Sequence, residues 1–193
     1  MTKARTLASF DATGVLTSTS TLNPANLDDT GTIPSALLDD VGGGKVIQVK
    51  NLANGSASDT SSTSWSDAAG TSLAITPTAN DSKILVTYNV GSWYVSNTTN
   101  IGQMKIVRVV NGVSSNIVSP AHGSSSVFFQ GKVTNGQQGG GGSISFLDDP
   151  QTTDEITYKV QIKSDNTGMT FSLNKNSAHQ QNGQYMTLME IAA

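Results

Sequence analysis

The sequence predicts an all-β protein: an antiparallel β-sandwich, jelly-roll-like, with an extended N-terminal arm or stalk. Three observations support this fold class. Only 13% of the 193 residues are charged, and Ser, Thr, Asn, Gln and Gly fill most other polar positions, a composition that disfavours helices. Several short segments alternate between apolar and polar residues. Asn-Gly pairs, which suit the positive φ angles of tight hairpin turns, occur four times.

The strand predictions rest on a period of two, because alternate side chains of a strand point to opposite faces. The clearest segments are 83–90 and 155–163, with Ile84, Val86, Tyr88, Val90, Ile156, Tyr158, Val160 and Ile162 on the apolar faces. The same period groups Met169 with Phe171 and Leu173, and Tyr185 with Thr187, Met189 and Ile191. Weaker candidates are 45–50, 72–76, 103–110, 126–133 and 143–147. About ten strands without a convincing helix favour a sandwich over a parallel sheet.

Turn chemistry separates these strands. The pair Asn111-Gly112 directly follows an apolar run and is the best candidate for a hairpin. Two tracts, 56–66 and 135–143, are so polar or glycine-rich that we expect exposed loops there.

Two regions divide the chain: an arm or stalk over residues 1–44 and a sandwich head over residues 45–193. The first has no sustained period, but Leu27-Asp28-Asp29-Thr30-Gly31 is echoed by Leu38-Asp39-Asp40-Val41-Gly42. A repeat too small to bury its own leucines usually stacks on copies of itself or on a partner, although a linker with a chance match is the alternative. Gly42-Gly43-Gly44 is a plausible hinge.

Charge and composition argue against several classes of partner. The formal net charge is −3, and the 11 Lys and Arg form no basic run, so we expect no nucleic-acid partner. The chain lacks cysteine, a secretory signal and any apolar stretch long enough to span a membrane. We therefore expect synthesis in a cytoplasm, no membrane insertion, and release by lysis if the protein works outside the cell.

The sequence offers no catalytic or cofactor-binding constellation, and we predict neither an enzyme nor a cofactor. Both histidines, His122 and His179, lie in turn-like contexts without metal-ligand spacing, so we expect solvated loop residues rather than zinc ligands. The Gly139–Gly142 run has no helix pattern behind it and therefore does not resemble a phosphate-binding loop.

An acidic cluster is the one place where carboxylates gather, at Asp148, Asp149, Asp154 and Glu155. Paired carboxylates could hydrolyse a glycoside, and their oxygen atoms could bind calcium. A polar turn joining two strands is the reading that we favour. The sequence leaves open whether the Asp148-Asp149 turn binds calcium.

Three aromatic residues, Trp65, Trp93 and Tyr94, could form a stacking platform for sugars. Trp93 and Tyr94 are adjacent, so a strand would point them to opposite faces and expose at most one. We expect core packing for at least one of them.

Several short motifs, taken in order, resemble tail-fibre and virion proteins of marine and freshwater (cyanophage-like) phages. They are Ser61-Ser62-Thr63-Ser64-Trp65-Ser66-Asp67, Leu73-Ala74-Ile75-Thr76-Pro77, Asp81-Ser82-Lys83-Ile84-Leu85-Val86, Leu147-Asp148-Asp149-Pro150, Ile156-Thr157-Tyr158-Lys159-Val160-Gln161 and the ending Met186-Thr187-Leu188-Met189-Glu190-Ile191-Ala192-Ala193. The resemblance covers roughly residues 45–193, and its specificity lies in the order of the motifs.

The resemblance implies a phage virion structural protein, a short tail-fibre or tail-associated protein that forms a homotrimer and attaches to a host surface polysaccharide or receptor. The binding surface is unknown at residue level. Fibre proteins are usually much longer and carry an anchor domain, which keeps open the alternative of a capsid decoration or cement protein. In that alternative, residues 1–44 contact other virion proteins and stabilise the shell.

Overall fold

A computed structural model describes residues 44–96, 101–117, 129–132, 139–175 and 183–193, with only the backbone given for 129–132 and 139. The predicted arm or stalk, with its leucine repeat, therefore lies outside the described residues apart from Gly44. The described part contains no helix and has two antiparallel sheets that pack against each other, which confirms the predicted all-β sandwich.

Twelve strands make up the described part of the fold. They are β1 (Val46–Asn54), β2 (Ser58–Thr60), β3 (Ser66–Asp67), β4 (Leu73–Ile75), β5 (Lys83–Val95), β6 (Ile101–Val110), β7 (Val113–Asn116), β8 (Phe129–Lys132), β9 (Gly139–Asp148), β10 (Ile156–Ser164), β11 (Phe171–Leu173) and β12 (Gln184–Ile191). Each strand predicted from the period of two is present, with ends that differ by a few residues.

The first sheet is built around the long strand β5. One edge of β5 pairs with β9, and the other pairs first with β12 and then with β11. Strand β1 continues the sheet beyond β12, and β2 continues it beyond β11. The pairing of β5 with β9 shifts register between Val90 and Trp93, which indicates a bulge.

The second sheet has β10 and β6 at its centre, paired over their whole length. Strands β3 and β4 lie along the other edge of β10, and β7 and β8 lie along the other edge of β6. The predicted hairpin connects β6 to β7: Asn111 and Gly112 have φ angles of 50° and 79°, as a type I′ turn requires.

The core lies between the sheets and contains the apolar residues that the sequence assigned to β5 and β10. Ile84, Val86, Ile156 and Val160 are completely inaccessible to solvent, and Met169, Phe171 and Leu173 join them. The sheets approach closely where the Phe171 ring covers Gly102. A Cβ atom on Gly102 would lie 2.0 Å from Cδ2 of Phe171, so no larger residue fits without a shift.

Both predicted loop tracts contain strands, which corrects that expectation. Within 56–66, Ser58–Thr60 forms β2, because Ser58 and Thr60 turn inward and the backbone pairs with β11. Within 135–143, the glycine run begins β9 and pairs with β5. A Cβ atom on Gly140 would lie only 3.4 Å from the Trp93 indole nitrogen, so glycine allows a close approach to that ring.

Strand β12 has the opposite orientation to the one that its period predicted. Its buried residues are Gln184, Met186, Leu188 and Glu190, while Tyr185 is 51% exposed. The physical reason is that the two buried polar side chains find partners inside. The Tyr88 hydroxyl donates a 2.6 Å hydrogen bond to Gln184, and Gln48 donates one of 2.6 Å to Glu190.

Candidate interaction surfaces

The outward-facing side chains at one end of the first sheet form an exposed apolar band. Residues of four neighbouring strands lie in register across it: Leu147 on β9, Leu85 on β5, Met189 on β12 and Val49 on β1. The next register row adds Ile191 and Val46. We call these six residues the outer apolar stripe.

Three of the six members of the stripe are exposed, and Leu85, Met189 and Ile191 between them are half-buried. Leu147 is 56% exposed, Val49 is 54% exposed and Val46 is 47% exposed. Beside it, Lys83 and Asp149 pair at 2.7 Å, so the nearest charges neutralise each other. Contiguous exposed apolar surface of this kind typically marks a contact with another molecule.

The inward-facing row directly behind the stripe carries two carboxylates. Asp148 on β9 and Glu190 on β12 both pair with Ile84 of β5, one on each side. Their burial beside the core means that each carboxylate must be compensated by hydrogen bonds or by a cation.

Glu190 is compensated by hydrogen bonds alone. Its carboxylate accepts bonds from the Gln48 amide at 2.6 Å, the Thr78 backbone N–H at 2.6 Å and the Thr78 hydroxyl at 2.7 Å. Burial by itself raises the pKa of Glu190, but these bonds, with a further contribution from Ser82, lower the pKa from 4.5 to about 2. The carboxylate therefore ties the segment after β4 to the last strand and stays ionised.

Asp148 is compensated by a cation and a phenol from the other sheet. Its Oδ2 atom accepts a 2.9 Å bond from Arg108 and a 2.6 Å bond from the Tyr158 hydroxyl. Burial raises the pKa of Tyr158, and the adjacent Asp148 carboxylate raises it further, so the phenol remains a donor. Arg108 and Tyr158 lie on β6 and β10, so this cluster joins the two sheets.

The predicted acidic cluster is consequently divided among separate partners. Asp148 faces inward to Arg108, Asp149 pairs with Lys83 outside, and Asp154 accepts a 2.8 Å bond from the Asn111 amide. The Lys83 hydrogen bond lowers the pKa of Asp149. Across the described part of the chain, no group of three His, Cys, Asp or Glu could hold a metal ion. Residues 149–155 connect β9 to β10, as the polar turn predicted, but Asp148 itself is a buried strand residue that bonds the other sheet.

Trp65 lies among lysines on the outer face of the second sheet. The Lys105 Nζ atom is 4.5 Å from the centre of its indole ring, and the Lys163 Nζ atom is 5.0 Å from the same centre. Both distances fall in the range of cation–π contact. Trp65 is half-buried, which leaves part of its surface accessible.

The three aromatic residues proposed as a sugar platform do not lie on one surface. Tyr94 is buried, and Trp93 packs against the core with part of its surface exposed. Trp65 precedes β3 in the second sheet, whereas the other two lie on β5 in the first sheet. A shared platform is therefore wrong, and the expected core packing is confirmed.

The remaining candidates from the sequence contribute nothing to these surfaces. His122 and His179 lie outside the described residues. The Gly139–Gly142 run belongs to a strand, as described above, and therefore cannot be the flexible loop that the sequence suggested.

Sequence reasoning missed the outer apolar stripe and the lysine pair beside Trp65. A signal for the stripe existed: Met189 and Ile191 are as apolar as Met186 and Leu188, which means that one apolar set of β12 must face outward. No comparable signal linked Lys105 to Lys163, because their proximity depends on the pairing of β6 with β10.

No protein-family model matches this chain, and no curated protein matches it either. Among the described residues, no helix has the length and apolar character needed to cross a membrane.

Proposed function

We propose that this chain is a structural protein of a phage particle, a short tail-fibre or tail-associated protein that works by binding and not by catalysis. In this proposal it assembles as a homotrimer, and its sandwich head attaches to the host surface. The order of the motifs along residues 45–193 suggests the class of protein. The outer apolar stripe is the observation that carries the proposal, because it supplies a surface for assembly.

The stripe fits a second copy of the chain better than a charged partner. It contains no ionisable residue, and its charged neighbours Lys83 and Asp149 already satisfy each other. A partner surface needs no charge complementarity to cover the stripe, because the stripe carries no net charge. Closed rotational symmetry would let each copy cover the stripe of another, and three copies is the number that the resemblance implies.

The environments of the Asp148 and Glu190 carboxylates also support a binding role over a hydrolytic one. Hydrolysis of a glycoside needs one protonated and one ionised carboxyl group at an accessible bond. Asp148 is buried against Arg108, and the pKa of Glu190 lies far below its ordinary value. Both groups therefore act as structural anchors in this proposal.

A capsid decoration protein is the second candidate. It uses the same observation, but the occupant of the stripe is a neighbouring shell subunit and residues 1–44 clamp that subunit. Release by lysis and function in the virion are common to both candidates.

Copy number in purified phage particles separates the two candidates. Quantitative mass spectrometry should find a few to a few dozen copies per particle if the protein belongs to the tail. A ratio to the major capsid protein near one to one, or one to a few, would support the decoration role. Absence from purified particles would contradict both.

Light scattering on the isolated full chain tests the assembly surface. We expect three times the chain mass of 20.0 kDa for the unmodified protein. Replacing Val49→Thr and Leu147→Thr together should yield a folded monomer, because both side chains are more than half exposed. Val113→Thr is the matched control, since Val113 is 67% exposed on the other sheet. A monomer at all concentrations for the unmodified chain would overturn self-association.

A further inference from the structure

The outward side chains of β10, on the outer face of the second sheet, contrast with the stripe because all of them are polar and two are lysines. The centre of this face is formed by outward side chains of β10 and β6, where Gln161 of β10 pairs with Lys105 and Lys163 of β10 pairs with Gln103. Lys159 lies one register row further along and bonds Asp67 at 2.6 Å. Among the side chains that the structure describes, these residues bring three ammonium groups and one carboxylate to the face.

Two of these ammonium groups lack a carboxylate partner within the described residues. Lys105 donates a 3.0 Å hydrogen bond to the Asn116 side chain, and both Lys105 and Lys163 contact the Trp65 ring. Lys105 is only 9% exposed, whereas Lys163 is half-buried, so Lys163 is the more accessible of the two. The two like charges close to one ring repel each other, and an anion between them would reduce that repulsion.

The lowered pKa of Lys105 is consistent with repulsion between the two ammonium groups. Burial lowers its pKa, and the neighbouring charge of Lys163 lowers it further. An anion between the two side chains would favour the protonated form of Lys105 and would relieve the repulsion between the lysines.

We propose that Trp65, Lys105 and Lys163 form a binding site for a carboxylate-bearing sugar of an acidic polysaccharide. The two ammonium groups would bind the sugar carboxylate, and the accessible part of the indole would contact the C–H surface of the sugar ring. Charge-assisted hydrogen bonds to the lysines supply the larger share of the affinity. The Gln161 amide nitrogen already donates to Asp67, and its oxygen can accept a hydrogen bond from a sugar hydroxyl group.

The chemistry of the site favours a uronic acid over a nucleic acid. A polyphosphate backbone binds through many cations spread along a surface, and the described part of this face offers two without a carboxylate partner on a chain of net charge −3. A uronic acid carries one carboxylate and an apolar ring surface on the same small unit, which matches two ammonium groups beside one indole. This inference needs neither a place in the virion nor an oligomeric state.

Calorimetric titration of the full chain with tetragalacturonate tests the site, with maltotetraose as the neutral probe and sulfate as the bare oxyanion. We expect binding of tetragalacturonate alone. Lys163→Gln should weaken it about tenfold or more, because one charge-assisted contact is lost. Lys159→Gln is the matched control on the same strand and face, and it should change affinity by about twofold at most, because Lys159 is already paired with Asp67.

Three results would overturn the proposal. The first is no binding of tetragalacturonate to the unmodified chain, and the second is an equal loss in the two lysine variants, which would indicate general charge attraction. The third is sulfate binding as tight as that of the saccharide, which would remove the sugar from the assignment. Thermal unfolding of both variants checks the fold, and a midpoint unchanged from the parent chain makes either outcome interpretable.

Discussion

At one end of the first sheet, the usual distribution of polar and apolar side chains between the inner and outer faces is reversed. Behind the surface, Asp148 and Glu190 flank Ile84 in the inner row. On the surface, Leu85 and Met189 occupy the next positions of the same strands. A half-buried sheet normally places apolar side chains inside and polar ones outside. Here carboxylates lie inside and apolar side chains are exposed to water.

The two rows differ in polarity because they have different roles in the molecule. The inner row must close the end of the sandwich, and it does so with specific bonds to Arg108, Tyr158, Gln48 and Thr78. The outer row makes no comparable bonds and gains stability only if another surface covers it. Inversion of polarity thus separates residues that hold the monomer together from residues available for assembly.

The largest expected difference in stability is between alanine variants of two leucines on opposite faces of the first sheet. Leu188 on β12 is completely buried, and Leu147 on β9 is 56% exposed. We expect Leu188→Ala to lower the free energy of unfolding by about 2–5 kcal/mol, because it leaves a cavity in the core. Leu147→Ala should cost about 0.5 kcal/mol or less in the monomer.

Urea unfolding of both leucine variants measures this difference. The measurements belong at protein concentrations where the chain is monomeric, since assembly would add to apparent stability. Equal losses for the two variants would show that Leu147 is packed within the monomer and would remove it from the stripe.

Loss of the Glu190 carboxylate should have the next largest effect. In Glu190→Leu, the Thr78 N–H and hydroxyl lose their acceptor within the folded chain, and the Gln48 amide keeps only its bond to the Thr76 carbonyl. Unsatisfied donors of this kind cost about 1–3 kcal/mol, so we expect a loss in that range. Glu155→Gln is the control at an exposed carboxylate and should be nearly neutral. A Glu190→Leu variant as stable as the parent would mean that apolar contact can replace the bonds.

The pH dependence of stability should also show the contribution of the Glu190 carboxylate, without replacing any residue of the core. The folded pKa of Glu190 is about 2, below its ordinary value of 4.5. A lowered folded pKa gives stability that is present above the ordinary value and is lost as pH falls through the folded value. We expect stability to decline between about pH 4.5 and about pH 2, and to decline less steeply in Glu190→Leu. Identical pH profiles would assign the acid sensitivity to other carboxylates.

Much of the fold could be predicted from alternation, and the exceptions have physical causes. In β10 every inward residue is apolar except Ser164, so the period of two identified the core face correctly. In β12 both faces carry large apolar residues, and Glu190 made the true inner face look polar. Only the partners Gln48 and Thr78, distant in sequence, explain why that carboxylate lies inside.

The candidate surfaces were less predictable because they depend on register between strands. Leu147, Leu85 and Val49 are far apart in the chain and become neighbours only through the order β9, β5, β12 and β1. The glycine run led to a different error. Gly139–Gly142 was predicted to be a loop, yet it pairs with β5 beside the Trp93 ring. Composition reports side-chain chemistry, whereas a surface also requires the pairing.

The smallest expected effect concerns the bond between Tyr158 and Asp148. Tyr158→Phe removes the 2.6 Å hydrogen bond and leaves Asp148 its Arg108 partner, so we expect a loss of about 1 kcal/mol. A double-mutant cycle with Asp148→Asn measures the coupling directly. Coupling near zero would show that the phenol merely fills space, and the inner row would then depend on Arg108 alone to join the sheets. A clear positive coupling would instead show that both charge and hydrogen bonding hold the inner row closed, in contrast to the outer row, where neither contributes.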